Sequence, residues 1–194
     1  PEPDSWRAKA RCYFRVLANS YSEIFFFEDH RLGLALLLTT FVNPNIGLSG
    51  FLCVLFAYLF ARFLGLKEIF RGSGYYTFNP LLVGLSIGFL FKITPLSVFF
   101  LVSAGITTFI VTLTLANILY NYMRLPVINM PFVLVSTVIY LAAYKYSNLL
   151  VSGLYATPYL FEGLKPDLPM WFTGLTRSFG CLFFSPHVIP GLIF

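Results

Sequence analysis

Charged residues divide this chain into long apolar runs. No Asp, Glu, Lys or Arg falls between Arg31 and Arg62, Arg71 and Lys92, Lys92 and Arg124, or Arg124 and Lys145. A bilayer core about 30 Å thick needs roughly 20 apolar residues of helix. The stretch through Phe51–Leu64 and the stretch Leu96–Tyr122 reach that length. The gap from Arg31 to Arg62 holds two crossings only as a tight hairpin, broken at Asn43-Pro44-Asn45. The pattern predicts helices over 32–43, 48–64, 79–91, 96–122 and 131–145.

Several of these helices are short for a full span, and Pro interrupts the pattern. Asn79-Pro80 opens one helix, and Leu125-Pro126 and Met130-Pro131 bracket the start of another. They read either as ordinary kinked helices or as discontinuous helices that meet at mid-membrane, the arrangement that builds transporter sites. Free backbone at that depth is tolerated only where protein or a water-filled cavity satisfies it.

Composition narrows the classes. Of 194 residues, 58% are hydrophobic, 19% aromatic and only 11% charged, against about 25% charged in a soluble domain. Mean hydropathy is +0.79. Such a chain cannot cover a water-facing surface, which excludes a soluble enzyme or a nucleic-acid reader. The +5 charge sits between apolar runs and reads as a topology signal. With the N-terminus (Arg7, Lys9, Arg11, Arg15) in the cytoplasm, five crossings put Arg62, Lys67, Arg71 and Arg124 inside and Lys92, Lys145 and Lys165 outside. A cleavable signal is not expected, because Glu23, Glu28 and Asp29 interrupt the Phe-rich stretch that follows the basic start. Cys12, Cys53 and Cys181 are widely spaced, and His30 and His187 read as loop or helix-end residues. Neither set makes a disulfide framework or a metal motif, so no metal or cofactor is expected. The apolar segments carry no Ser/His/Asp or paired-carboxylate constellation, so no enzyme is expected.

The chain also matches itself. Leu17-Ala-Asn-Ser-Tyr-Ser-Glu-Ile-Phe-Phe-Phe-Glu-Asp-His-Arg-Leu-Gly-Leu34 aligns without a gap on Leu175-Thr-Arg-Ser-Phe-Gly-Cys-Leu-Phe-Phe-Ser-Pro-His-Val-Ile-Pro-Gly-Leu192. Five crossings between the two starts make the copies inverted, as in many transporters. The expected organisation is a cytoplasmic segment 1–14, a first transmembrane repeat 15–146, a linker 147–174 with short interfacial pieces, and the start of a second, inverted repeat at 175–194. On this reading the chain is a fragment whose second copy is cut short.

Four segments resemble the urea transporter family. Glu23-Ile-Phe-Phe26 followed by Gly33 is similar to its Gln/Glu-x-x-Phe segment before a helix-opening Gly. Tyr76-Thr-Phe78-Asn79-Pro80-Leu-Leu82-Val-Gly84 is similar to its Asn-x-x-Leu-Val-Gly stretch. Leu125-Pro126-Val-Ile-Asn129-Met-Pro131-Phe132 is close to its signature Leu-Pro-x-x-Thr-x-Pro-Phe. The restart from Arg177-Ser178-Phe179-Gly180 through Gly191 completes the set. The resemblance runs from about residue 14 to the end. It implies an all-α polytopic membrane protein of the inverted-repeat urea-transporter fold, truncated here after the first repeat. It further implies one pore per subunit, a homotrimer in the inner membrane of a bacterial cell, and passive, channel-like conduction of urea.

Carried over residue by residue, the resemblance makes Glu23 a mouth acceptor for urea N–H, Phe26 and Phe78 aromatics of a slot, and Leu82 an apolar wall. Asn129 stands where the signature has Thr, bordering the mid-pore. In the second copy Cys181 and Phe184 take the Gln/Glu and Phe positions. Two of these depart from the family. Asn129 offers an amide in place of a small hydroxyl, and Cys181 leaves one mouth without a strong acceptor, so a related small amide is an alternative solute. The slot suits the solute: aromatic faces admit a flat neutral molecule, oxygen acceptors replace its lost water, and ions are excluded by their dehydration cost. Plainer roles stand beside these. Glu23 also reads as an interfacial charge, Asn129 as a cap for the helix near Pro131 or a partner for a neighbouring helix, and Gly84 with Gly88 as a packing pair. Helix N-termini near Asn79 and Pro131 aim positive dipole ends at the pore. Competing functions are an ammonia channel, which would be expected to place paired His mid-helix, a water channel with two Asn-Pro-Ala loops, and a non-conducting fragment.

Overall fold

The computed structural model describes residues 6–27, 29–66, 74–145, 169–185 and 191, with backbone alone for 6–12 and 144. Seven α-helices carry the fold: α1 (Trp6–Ser22), α2 (His30–Thr40), α3 (Pro44–Phe63), α4 (Phe78–Leu90), α5 (Pro95–Ile118), α6 (Met130–Lys145) and α7 (Met170–Cys181). A 3-10 turn (Glu23–Phe25) follows α1, and a π-helical turn (Leu119–Met123) ends α5. The five helices expected from the apolar runs are α2 to α6. Their ends differ from the expectation by a few residues because side-chain caps set them. Asp29 accepts from the Arg31 N–H at 2.9 Å, and Asn43 accepts from the Asn45 N–H at 3.2 Å with Pro44 in the first helical turn. Thr94 and Ser97 close a capping box at the start of α5.

Helix α1 was not expected: its first half carries Arg7, Lys9, Arg11 and Arg15, and the segment was read as a polar tail. Its second half is sequestered, from Val16 through Ser22. Helix α7 begins before the expected start of the second copy. The expected segment 147–168 and His187 lie outside the described residues.

Helices α3, α4 and α5 form the centre, and small residues let them approach. A Cβ on Gly84 would stand 2.5 Å from the Cβ of Cys53, one on Gly88 2.7 Å from that of Ser49, and one on Gly105 2.7 Å from the Cys53 carbonyl oxygen. The packing reading of Gly84 and Gly88 is therefore what the structure shows. Asn45 then ties the far end of α4. Its amide donates to the carbonyls of Gly88 and Phe91, the latter at 2.8 Å, and its oxygen accepts from the Ile93 N–H at 3.0 Å.

Packing partners give the helix directions. Val16 clusters with Ala57 and Ala61, and Leu17 with Val54, so α1 runs antiparallel to α3. Leu101 packs on Cys53 and Phe109 on Ala57, so α3 and α5 run parallel. Arg62 and Arg124 thus lie at one end of the bundle and Lys92 and Lys145 at the other. Two helical segments, Pro44–Phe63 and Pro95–Met123, are long and apolar enough to cross a membrane. Helix α4 is not: 13 residues make about 20 Å. It starts inside the bundle, where Gly74 lies against the backbone of Asn19 and Ser20 in the last turn of α1.

Candidate functional site

Two turns with the same geometry carry four of the candidate residues, Glu23, Phe26, Cys181 and Phe184. After α1, the Phe27 N–H donates to the Ser22 carbonyl (3.2 Å), and the Phe26 N–H to the Glu23 carbonyl (2.9 Å). After α7, the Ser185 N–H donates to Gly180 (2.9 Å), and the Phe184 N–H to Cys181 (3.1 Å). This is the paired bond pattern of a Schellman helix end, which places its fifth residue in the left-handed region, usually Gly. Here the residue is Phe both times, at φ 60 for Phe26 and φ 55 for Phe184. A bulky side chain there costs roughly 1–2 kcal/mol, and such strain concentrates at functional sites.

The match extends beyond the turn. Gly33 rests on the Ala18 carbonyl, where a Cβ would stand 1.8 Å from the oxygen. Gly191 rests on the Thr176 carbonyl in the same way, at 1.7 Å. Every pair keeps the register of the sequence alignment. The equivalent residues Phe25 and Phe183 touch each other, ring centroids 5.7 Å apart. Phe183 is fully buried in the cluster that holds Tyr21, Leu81 and Leu85.

A third component joins two helix starts. The Asn79 amide, in the first turn of α4, donates to the Ile128 carbonyl at 3.1 Å. Ile128 belongs to the loop leading into α6, and its backbone is also left-handed, at φ 45. The Val127 N–H donates to the Tyr75 hydroxyl at 3.3 Å. The N-termini of α4 and α6 therefore adjoin, two positive dipole ends in one region. The Asn79 Oδ1 is buried with no hydrogen-bond partner among the described residues. A cavity of about 720 Å³ opens beside this loop, lined by Tyr75, Tyr76, Asn117, Tyr120 and Arg124.

The candidate residues fall into three settings. Phe78, Leu82 and Glu23 are buried. Phe26 is 72% exposed, and Asn129 and Cys181 are exposed as well. Phe184 is half-buried, with Phe89 at 6.1 Å and Phe132 at 6.2 Å between ring centroids. Phe78 packs on Tyr75 at 6.1 Å. Phe26 and Phe78 are not in ring contact among the described residues. Asn129 holds the N-cap position of α6, its carbonyl accepting from the Val133 N–H at 3.1 Å, while its side chain makes no cap bond among the described residues. Ring contacts thus link the turn after α1 to the turn after α7, and that turn to Phe132 of α6, while a hydrogen bond links the start of α4 to the loop before α6; the candidate residues come from these segments.

A model of urea transporters matches residues 14–194. The chain belongs to the urea transporter family. The match spans both Schellman turns, the Asn79 segment and the α6 loop, so the four segments quoted from the sequence fall within it. Among curated proteins no match was found. Membership makes the chain an all-α, membrane-embedded protein of a family that transports urea passively, not an enzyme family.

Sequence reasoning missed some of the polar framework behind the site. Ser20 shares a hydrogen bond with Thr77, and Thr40 donates to the Tyr21 hydroxyl at 3.3 Å. Ser185 is buried, and its hydroxyl has no partner among the described residues. The available signal was the run Asn19-Ser20-Tyr21-Ser22, polar residues with no charge in an otherwise apolar context.

Proposed function

We propose that this protein conducts urea passively through a slot between two inverted copies of one helical unit, and that the two left-handed phenylalanines flank the slot. The carrying observation is the recurrence of a strained Phe in the same turn, at aligned positions of the two copies. Strain of this kind is retained where a ring must take a direction an ordinary helix end does not allow. The contact between the equivalent Phe25 and Phe183 supports a pseudo-two-fold axis passing between them. The first repeat covers 15–146, a linker 147–174, and the second copy starts at 175.

In this reading Phe26, Phe78 and Phe184 form the aromatic walls and Leu82 the apolar wall. Glu23 and Asn129 supply oxygen acceptors for urea N–H groups, and Cys181 marks the second mouth. The adjoining N-termini of α4 and α6 favour the carbonyl end of the solute. No ionic group is needed at the narrowest point, and an ion entering the slot loses its water without return. The end of the bundle that holds Arg62 and Arg124 faces the cytoplasm, with the basic half of α1, in the inner membrane. Family membership supports a homotrimer of such pores.

The test is urea flux. Vesicles carrying the full-length protein should shrink and re-swell in a urea gradient faster than empty ones. Re-swelling at the rate of empty vesicles would remove the urea reading. Faster recovery with a small related amide than with urea would move the assignment to that amide.

A further inference from the structure

An apolar groove runs between α1 and α3. Its volume is about 280 Å³, and its walls are Tyr13, Phe14, Leu17, Phe51, Leu55 and Tyr58, with Val16 and Val54 at its base. On α3 the walls extend from Phe51 to Tyr58, about 10 Å of helix. Nothing polar lines this stretch except the two tyrosine hydroxyls. One end of the groove is cationic. Arg62 stands one helical turn beyond Tyr58, its guanidinium 5.6 Å from the centre of the Tyr13 ring and hydrogen-bonded to the Tyr13 hydroxyl. Tyr13 in turn packs edge-on against Tyr58 at 4.9 Å.

The aromatic contact fixes the guanidinium without neutralising it. An arginine offers five N–H donors, and Tyr13 takes one. The described carboxylates, Glu23 and Asp29, lie beyond the other end of α1, Glu23 ten residues from Tyr13 or about 15 Å along the helix. Past Tyr13, α1 continues through the stretch that carries Arg11, Lys9 and Arg7. The groove is therefore an apolar trough with the Arg62 guanidinium at its rim and, among the described residues, no carboxylate beside it.

We propose that this groove binds one acyl chain of an anionic phospholipid, with the lipid phosphate on Arg62. An apolar trough explains the chain, and a guanidinium held at its rim on Tyr13, with no carboxylate against it among the described residues, explains the headgroup. A second copy of this protein presents no described carboxylate cluster to match that rim. The inference needs only a membrane-embedded chain and does not depend on the identity of the transported solute.

The test uses the full-length protein in nanodiscs of equal phosphatidylglycerol and phosphatidylcholine, with lipids that stay bound on release identified by native mass spectrometry. One phosphatidylglycerol per chain should be retained. Arg62→Gln should lower that retention about fivefold, the effect of about 1 kcal/mol per cationic side chain at an anionic surface. Leu55→Trp, which fills the trough and leaves Arg62 in place, should abolish it. Both variants should keep wild-type urea flux in pure phosphatidylcholine vesicles. Equal retention of the two lipids, or retention unchanged by both substitutions, overturns the proposal. So does displacement of the lipid by soluble glycerol phosphate at equal affinity, which would make the site a free-anion site. Cross-linking between two chains through Leu55→Cys would instead make the groove a contact between copies and overturn it as well.

Discussion

A phenylalanine in left-handed backbone is the residue-scale signature of this protein, and it separates stability from function at one position. Glycine adopts that backbone without penalty. Phe26→Gly should therefore leave thermal stability in detergent unchanged or raise it by about 1 kcal/mol, while urea flux falls. A variant that loses flux and stability together would make the Phe26 ring a packing element. Phe26 is 72% exposed, so little packing is at stake. Cys181 gives a second readout. It is exposed and Cys53 is fully buried, so a membrane-permeant maleimide should modify Cys181 and spare Cys53. The proposed slot puts Cys181 at its second mouth, and on that proposal saturating urea should slow the labelling of Cys181; a rate indifferent to urea would take it out of the solute path.

At the scale of elements, backbone contacts and side-chain clasps decide how the helices meet. Gly33 carries α2 across α1 with no room for a Cβ, the added atom falling 1.8 Å from the Ala18 carbonyl oxygen. Gly33→Ala should cost about 1–3 kcal/mol, measured as a lower melting temperature in detergent. Asn45 clasps the last turn of α4 to the start of α3 through the Gly88 and Phe91 carbonyls and the Ile93 N–H. Asn45→Ala strips three part-buried backbone groups of their partner and should cost about 1–3 kcal/mol. Asn45→Asp keeps the acceptor for Ile93 but turns a second oxygen onto the Gly88 and Phe91 carbonyls, so it should cost at least as much as Asn45→Ala.

For the molecule as a whole, the apolar runs made α2 to α6 legible because either charge or a Pro or Asn that starts a helix marks their ends. Composition alone placed the chain in a membrane. The self-similarity of Leu17–Leu34 and Leu175–Leu192 was legible too, since residues that hold a Schellman turn and a helix crossing must recur together. Helix α1 was hidden because its amphipathic first half resembles a polar tail. The candidate site was legible as residue types in motifs, but not as an arrangement. Asn79 reads from sequence as a helix opener; only folding brings its amide to the Ile128 carbonyl, 49 positions away.

The sequence by itself determined that this is a helical membrane protein, where its apolar helices lie along the chain, and which family its motifs belong to. Those properties follow from local hydropathy, caps and spacing, each felt within a few residues. Only the tertiary structure decided that α4 begins inside the bundle, that two helix starts adjoin, that Phe25 meets Phe183, and that Arg62 closes an apolar groove against Tyr13. Each of those depends on how closely helices pack. Glycines at positions 33, 84, 88 and 105 allow that approach, and no periodicity along one chain segment encodes which partner comes to lie against them.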